Sequence, residues 1–390
     1  MLPLQLFAAI IALLFSMMFA NGGGTFPGPG IGPFPGSSPP IDSPPDFPTP
    51  VESPADLPTP PQPPTPAVSE PKVSGIIAQG LQAPWGLAFL PEGDALVSER
   101  DSGRIVRITT SGQVSPVGTV PGVAAAGEGG LLGLAVSPRF RQDRALYAYF
   151  TAASDNRIVR MNYQDGRLGK PQAIVTGIPK SNIHNGGRLA FGPDDMLYAG
   201  TGEAGQPGLS QDTRSLGGKI LRMTPEGRPA PGNPFPNSLV YSYGHRNVQG
   251  LAFDSAGRLW AAEFGQNTWD ELNLIRAGGN YGWPRAEGKA GGEGYVDPLV
   301  QWSTDDASPS GIAIADDVVY MAGLRGARLW RVPIDGNRAG DPKAFFSNDY
   351  GRLRTVALAP DGSLWLITSN TDGRGAPKPG DDKILRLTLR

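Results

Sequence analysis

The chain contains no cysteine and only two histidines in 390 residues. Without thiols it can form no disulfide, hold no iron–sulfur cluster, build no thiolate zinc site and carry no lipid anchor on cysteine. Few groups remain that can move a proton near neutral pH, so His184 and His245 carry unusual weight. Charge of one sign is also missing: 34 Lys and Arg stand against 36 Asp and Glu, a formal charge of −2. That balance argues against a nucleic-acid partner. No helical periodicity of note follows residue 73, and no Lys or Arg precedes the apolar run at the N-terminus.

Glycine and proline are abundant instead, at 54 and 41 residues. Much of the proline excess precedes residue 72, whereas glycine continues throughout, as turn-rich β structure requires. The apolar stretch Leu6 to Phe19, followed by Ala20-Asn21-Gly22, reads as an export signal over residues 1–20 and places the protein in the periplasm or outside the cell. Met18 is large for a cleavage site, and Leu2 to Ala20 is close to spanning length, so an uncleaved membrane tether is the alternative. Residues 21–72 are rich in Pro, Gly, Ser and Thr, with scattered acids, and cannot bury a core. They read as a disordered or polyproline-like linker.

From residue 73 to 390 one pattern recurs six times. A Gly-Leu-Ala-Phe-like run leads into a Pro/Asp/Gly turn and then a second apolar strand that ends on small or acidic residues. The copies begin at Gly86-Leu87-Ala88-Phe89, Leu132-Gly133-Leu134-Ala135-Val136, Arg188-Leu189-Ala190-Phe191, Gly250-Leu251-Ala252-Phe253, Gly311-Ile312-Ala313-Ile314 and Val356-Ala357-Leu358-Ala359. Several close with strands of alternating apolar and basic residues, such as Lys219-Ile220-Leu221-Arg222-Met223. Short strands on a period of roughly 45 to 60 residues predict an all-β fold, a six-bladed β-propeller with four-stranded antiparallel blades. The last copy is too short for a full blade. The strand-like Lys72 to Ile77 is expected to supply its outer strand and close the ring.

In such a fold the repeated run is the packed inner strand, and function belongs to the residues just before and after it. Four groups stand there: Glu128 in a glycine-rich segment; His184 and Asn185, with Glu203 at the exit of the next strand; His245-Arg246-Asn247; and Arg325 with Arg352 and Arg354. Arg352 and Arg354 are two apart and face the same way on an extended strand. Arg325 alone also reads as a solvated surface arginine. Four arginines at one channel mouth are costly unless an anion fills it, and guanidinium pairs bidentately with carboxylates. The expected ligand is therefore a small polyanion.

Four motifs together carry a family resemblance. They are Gly244-His245-Arg246-Asn247-Val248-Gln249-Gly250-Leu251-Ala252-Phe253, the run from His184 to Asp194, Gly278-Gly279-Asn280-Tyr281-Gly282-Trp283-Pro284, and Arg352-Leu353-Arg354. Over about residues 75–390 the sequence resembles the soluble pyrroloquinoline quinone (PQQ)-dependent aldose sugar dehydrogenases, related to soluble glucose dehydrogenase. The resemblance implies a six-bladed propeller that oxidises aldose sugars at C1 to lactones, with PQQ and Ca2+ as cofactors. His184 would be the general base and Glu203 the acid that orients it. Glu128, His184, Arg246, Asn247, Arg325, Arg352 and Arg354 would contact PQQ, with Arg352 and Arg354 clamping its carboxylates. Glu128 falls where many members have glutamine and needs an arginine or calcium to offset it. The backbone carbonyls of Gly265 and Gln266 would hold the cofactor-site calcium. Glu271 and the Tyr281 carbonyl match a second, structural calcium, although Glu271 also reads as an ordinary surface acid. His245 reads as structural rather than as a second base. The substrate partner is an aldose sugar, and the electron acceptor has no signature in the sequence. Two other readings remain: a propeller lactonase-type hydrolase, which needs Glu, Asn and Asp converging on one calcium, and a non-catalytic propeller binding module.

Overall fold

A computed structural model of the chain describes residues 70–292 and 294–389. The export-signal or tether segment, and the proline-rich linker as far as residue 69, lie outside the described residues.

Six separate antiparallel sheets follow one another along the chain, and each begins with one of the repeated runs. Blade 1 starts with Pro84–Phe89, blade 2 with Leu131–Val136, blade 3 with Leu189–Phe191, blade 4 with Val248–Phe253, blade 5 with Pro309–Ala315 and blade 6 with Leu353–Leu358. Four blades have four strands. Blades 2 and 5 carry an additional two-residue strand, Arg167–Leu168 and Arg338–Ala339. The described helical turns are short, Phe140–Asp143 and Pro207–Ser210. The ring closes as expected: Pro71–Gln79 pairs antiparallel with Lys383–Leu389, so blade 6 is made from both ends of the described chain.

The turns between first and second strands follow from their side chains. In blade 4, Asp254 Oδ1 accepts the amides of Ala256 at 3.0 Å and Arg258 at 2.9 Å, while Gly257 takes φ +77°. Such an aspartate turn reverses the chain and starts the next strand in register. The inner strands approach one another closely because their glycines carry no side chain. A Cβ on Gly133 would lie 2.1 Å from the Gly187 carbonyl oxygen of blade 3, and one on Gly250 would lie 2.4 Å from that of Ser310 in blade 5.

Each seam between neighbouring blades has its own apolar cluster. Leu131, Leu146 and Val159 join Leu96 and Ile105 between blades 1 and 2, and Tyr147 and Tyr149 meet Leu197 and Leu221 between blades 2 and 3. Tyr198 and Ile220 meet Val248 and Ala261 between blades 3 and 4. Trp260 and Leu272 meet Val319 and Met321 between blades 4 and 5. Tyr320 and Leu329 meet Leu364 and Leu385 between blades 5 and 6. Ile367 and Ile384 meet Val97 and Ile108 across the closing seam. Full burial of one Leu or Ile is worth about 1.5–3 kcal/mol, so these seams hold the ring and leave the strand ends free for other work.

Candidate active site

The segments that precede inner strands and follow second strands converge on a cavity of about 320 Å3 at one end of the ring. Its wall includes Glu128, His184, Arg246, Asn247, Gly265, Gln266, Arg325, Arg352 and Arg354, from six separate chain segments. These are nine of the residues singled out from sequence. Glu203 stands behind His184, whereas Glu271 and Tyr281 lie away from the cavity.

His184 is placed by its backbone. It occupies φ +54°, a left-handed conformation that a histidine adopts only when its surroundings impose it. Its amide donates to Glu128 Oε2 at 2.9 Å, and its carbonyl accepts the Ala204 amide at 3.1 Å. The ring Nδ1 is hydrogen-bonded to Glu203 Oε1. A buried carboxylate accepts and does not donate, so Nδ1 carries the proton and Nε2 keeps a lone pair. Nε2 has no protein partner among the described residues, and the imidazole lines the cavity. Asn247 supports the same turn, its Oδ1 accepting the Gly186 amide at 2.9 Å.

The arginines are held by partners that the motifs did not announce. Asp372 Oδ2 accepts from Arg352 Nε at 3.1 Å and Nη2 at 3.0 Å, and from Arg354 Nη2 at 3.2 Å. Burial works against the Asp372 charge, but the Arg354 and Arg352 guanidiniums outweigh it and hold the carboxyl below the usual range. Burial pushes Arg354 down to about 10 and also lowers Arg246, which nearby carboxylates partly restore. Arg246 donates to Gln266 Oε1 at 3.1 and 2.8 Å and lies over the Trp283 ring at 5.4 Å. Glu128 meets Arg374 Nη2 at 2.8 Å, the offsetting arginine that its position requires. Arg325 is mostly exposed and pairs with Asp305 at 2.5 Å while still lining the cavity. In the channel beneath, Arg188 stacks on Trp85 at 4.3 Å, and burial, with Arg354 nearby, lowers it to about 9.

Arg100, Asp270, Asp372 and Arg374 also line the cavity and were not singled out from sequence. The pattern of second strands exiting on acids (Glu99, Glu203 and Glu263 are examples) was the available signal for Asp372. The expectation that an external anion alone must offset the arginines changes accordingly, because Asp372 and Glu128 already neutralise part of the charge. Six arginines and three carboxylates line the wall, and Asp101 and Asp305 just outside it pair with Arg100 and Arg325, so a smaller positive excess remains.

Of the two remaining predicted ligands, Glu271 lies on the third strand of blade 4 and Tyr281 in the connection that follows it. Glu271 is buried rather than a surface acid, and burial together with Glu263 pushes its carboxyl up to about 8. Its Oε1 accepts the Gly288 amide at 2.7 Å and its Oε2 accepts Asn273 Nδ2 at 3.0 Å. The Tyr281 hydroxyl donates to the Leu274 carbonyl at 2.8 Å, and its ring stacks on His245 at 4.5 Å.

Residues 81–385 match the family model described as Glucose / Sorbosone dehydrogenase. The fold superimposes on the PQQ-bound form of aldose sugar dehydrogenase from Streptomyces coelicolor with TM-score 0.81 and 63% identity, covering 83% of this chain and 99% of that one. The sequence is 29% identical over 335 residues to aldose sugar dehydrogenase YliI of Escherichia coli, spanning 76% of this chain and 90% of that protein. It is 32% identical over 284 residues to quinoprotein glucose dehydrogenase B of Acinetobacter calcoaceticus, spanning 62% of this chain and 59% of that protein.

Proposed function

The chain belongs to the glucose / sorbosone dehydrogenase family, and from that premise we propose that it is a PQQ-dependent dehydrogenase that oxidises aldose sugars at C1. One observation carries the reading. His184 Nε2, without a partner among the described residues, faces a cavity whose wall carries more arginines than carboxylates. PQQ has three carboxylates, so the donor set fits the quinone, with Arg352, Arg354, Arg246 and Asn247 to hold it. Calcium also fits. Gly265 and Gln266 line the wall, and their carbonyls accept no hydrogen bond among the described residues; such carbonyls are the hard oxygens that calcium takes. Glu271 serves a second calcium less well, since both its oxygens already accept hydrogen bonds.

Bound in this cavity, PQQ supplies the acceptor for the hydride lost from C1, and calcium supplies Lewis-acid polarisation of the quinone carbonyl. The protein's own work is acid–base chemistry and positioning. His184 Nε2 takes the proton of the C1 hydroxyl, and the sugar leaves as the lactone. Glu203 keeps Nδ1 protonated, aims the ring and stabilises the imidazolium that forms. The wall carboxylates favour this reading over a lactonase. Glu128 is paired with Arg374, Asp372 with two arginines, and Asp270 with the amides of Gly265 at 2.8 Å and Ser308 at 2.6 Å.

The test is dye-linked aldose oxidation by the apoprotein, with and without PQQ and Ca2+. Turnover should require both, and His184→Ala should lower kcat by on the order of 10²–10⁴-fold while quinone binding persists. Absence of quinone binding in the unaltered protein would sink the reading.

A further inference from the structure

The loop after the second strand of blade 4 is organised by one carboxylate oxygen. Glu287 Oε1 accepts four consecutive backbone amides: Gln266 at 2.7 Å, Asn267 at 2.9 Å, Thr268 at 2.9 Å and Trp269 at 3.2 Å. A trans peptide unit points its N–H and its C=O in opposite directions. The N–H of Gln266 shares its plane with the Gly265 carbonyl, and that of Asn267 with the Gln266 carbonyl. Drawing these two amides onto Glu287 therefore turns the Gly265 and Gln266 carbonyls away from it. Both residues line the cavity, beside Phe264 of the same loop.

Glu287 is itself held in place. The next residue, Gly288, donates its amide to Glu271 on the third strand of blade 4, and the Lys289 amide donates to Gln301 Oε1 at 2.9 Å on the fourth. The loop tolerates little change of path, because a Cβ on Gly265 would lie 1.8 Å from the Trp269 carbonyl oxygen and 2.8 Å from Glu287 Oε1. Negative charge at a cluster of convergent amides is the arrangement seen in backbone anion nests. Here the anion belongs to the protein, and the product is a fixed set of outward carbonyls. The same loop carries the Gln266 side chain that braces Arg246.

We propose that Glu287 is a positioning residue: by gathering the amides of residues 266–269 it fixes the carbonyls of Gly265 and Gln266 as hard-oxygen ligands for a divalent cation at the cavity wall. The inference rests on the quinoprotein reading above and assigns the geometry of its calcium site to a residue outside the cavity. Outer partners that orient metal ligands typically change metal affinity by roughly 10–100-fold when removed.

The experiment is a CaCl2 titration of the apoprotein with PQQ present, following bound-quinone absorbance rather than turnover, for the unaltered chain, Glu287→Gln and Glu287→Asp. Glu287→Gln keeps the shape but removes the charge, and its half-saturating calcium concentration should rise by roughly 10–100-fold. Excess calcium should restore quinone binding. Glu287→Asp, which retains a carboxylate, should fall between the two. Calcium-free Tm is measured in parallel. A Gln variant that loses Tm yet keeps the unaltered calcium midpoint overturns the inference, as does an Asp variant no better than Gln. Should Gln fail to fold, the Asp midpoint decides: an unchanged value overturns the inference and a raised one supports it. A chain with native Glu287 that shows no calcium response overturns the cofactor reading and this inference with it.

Discussion

Two histidines in adjacent blades are built alike and end in opposite states. Each precedes an inner strand, and each bonds through Nδ1 to a glutamate at the exit of the following strand: His184 to Glu203, and His245 to Glu263 at 2.7 Å. His245 is then finished off. Ser242 Oγ meets its Nε2 at 2.8 Å, Tyr281 covers its face, and Glu263 also binds the Arg246 amide at 2.8 Å and Asn273 Nδ2 at 3.1 Å. Among the described residues His184 Nε2 stays bare, and the buried Glu203 Oε2 has no hydrogen-bond partner. The difference shows how a repeat fold makes an active base. It copies the same pair and then withholds the last hydrogen bond from one of them.

The comparison breaks most sharply at the glutamates. Glu203→Ala should lower kcat on the order of 10²–10⁴-fold, because the ring loses both its aim and its tautomer. Glu203→Gln should recover part of that loss, since an amide oxygen can still accept Nδ1–H but supplies no charge for the imidazolium. Steady-state kinetics with quinone affinity measured in parallel would check both, and a rise in KM without loss of kcat would overturn the assignment. His245→Ala should act on stability instead, costing about 1–3 kcal/mol as Ser242 and Glu263 lose a buried partner. Denaturant unfolding reads this, and kcat per folded molecule should change far less than in the His184 variant.

The smallest effect concerns the arginine clamp and pH. The folded Asp372 carboxyl lies below its ordinary value because Arg354 and Arg352 outweigh its burial. Its stabilisation is complete above the unfolded aspartate value of roughly 4 and is lost as pH falls through the lower folded value. Asp372→Asn should therefore flatten the acid limb of the stability profile below about pH 4, with little change in its slope near pH 7. An unchanged acid limb would show that the pair contributes nothing there.

The ring was legible because its signal is local and repeated. All six inner strands, from Gly86-Leu87-Ala88-Phe89 to Val356-Ala357-Leu358, stand where the repeats begin, and the closing strand needed only a residue count. The cavity wall was legible where a residue stands beside a repeat, as His184, Arg246 and Arg354 do. Arg374 and Arg100 were missed because Arg374 meets Glu128, and Arg100 the Asp372 carbonyl, only through ring closure rather than spacing; Asp372 had only the weak signal of strands that exit on acids. Glu287 left still less trace. Its partners are backbone amides, which no side-chain pattern encodes.

Blade 6 joins residues about as far apart as the described chain allows: Pro71 sits opposite Leu389. A ribosome delivers the first of these strands early and the second only after five other blades have been made. Until then the ring is a string of blades whose first strand has no neighbour, and an unpaired strand edge is open to other chains. Closure therefore guards that edge: a copy lacking Lys383–Leu389 leaves the Pro71–Gln79 strand unpaired and open to other chains.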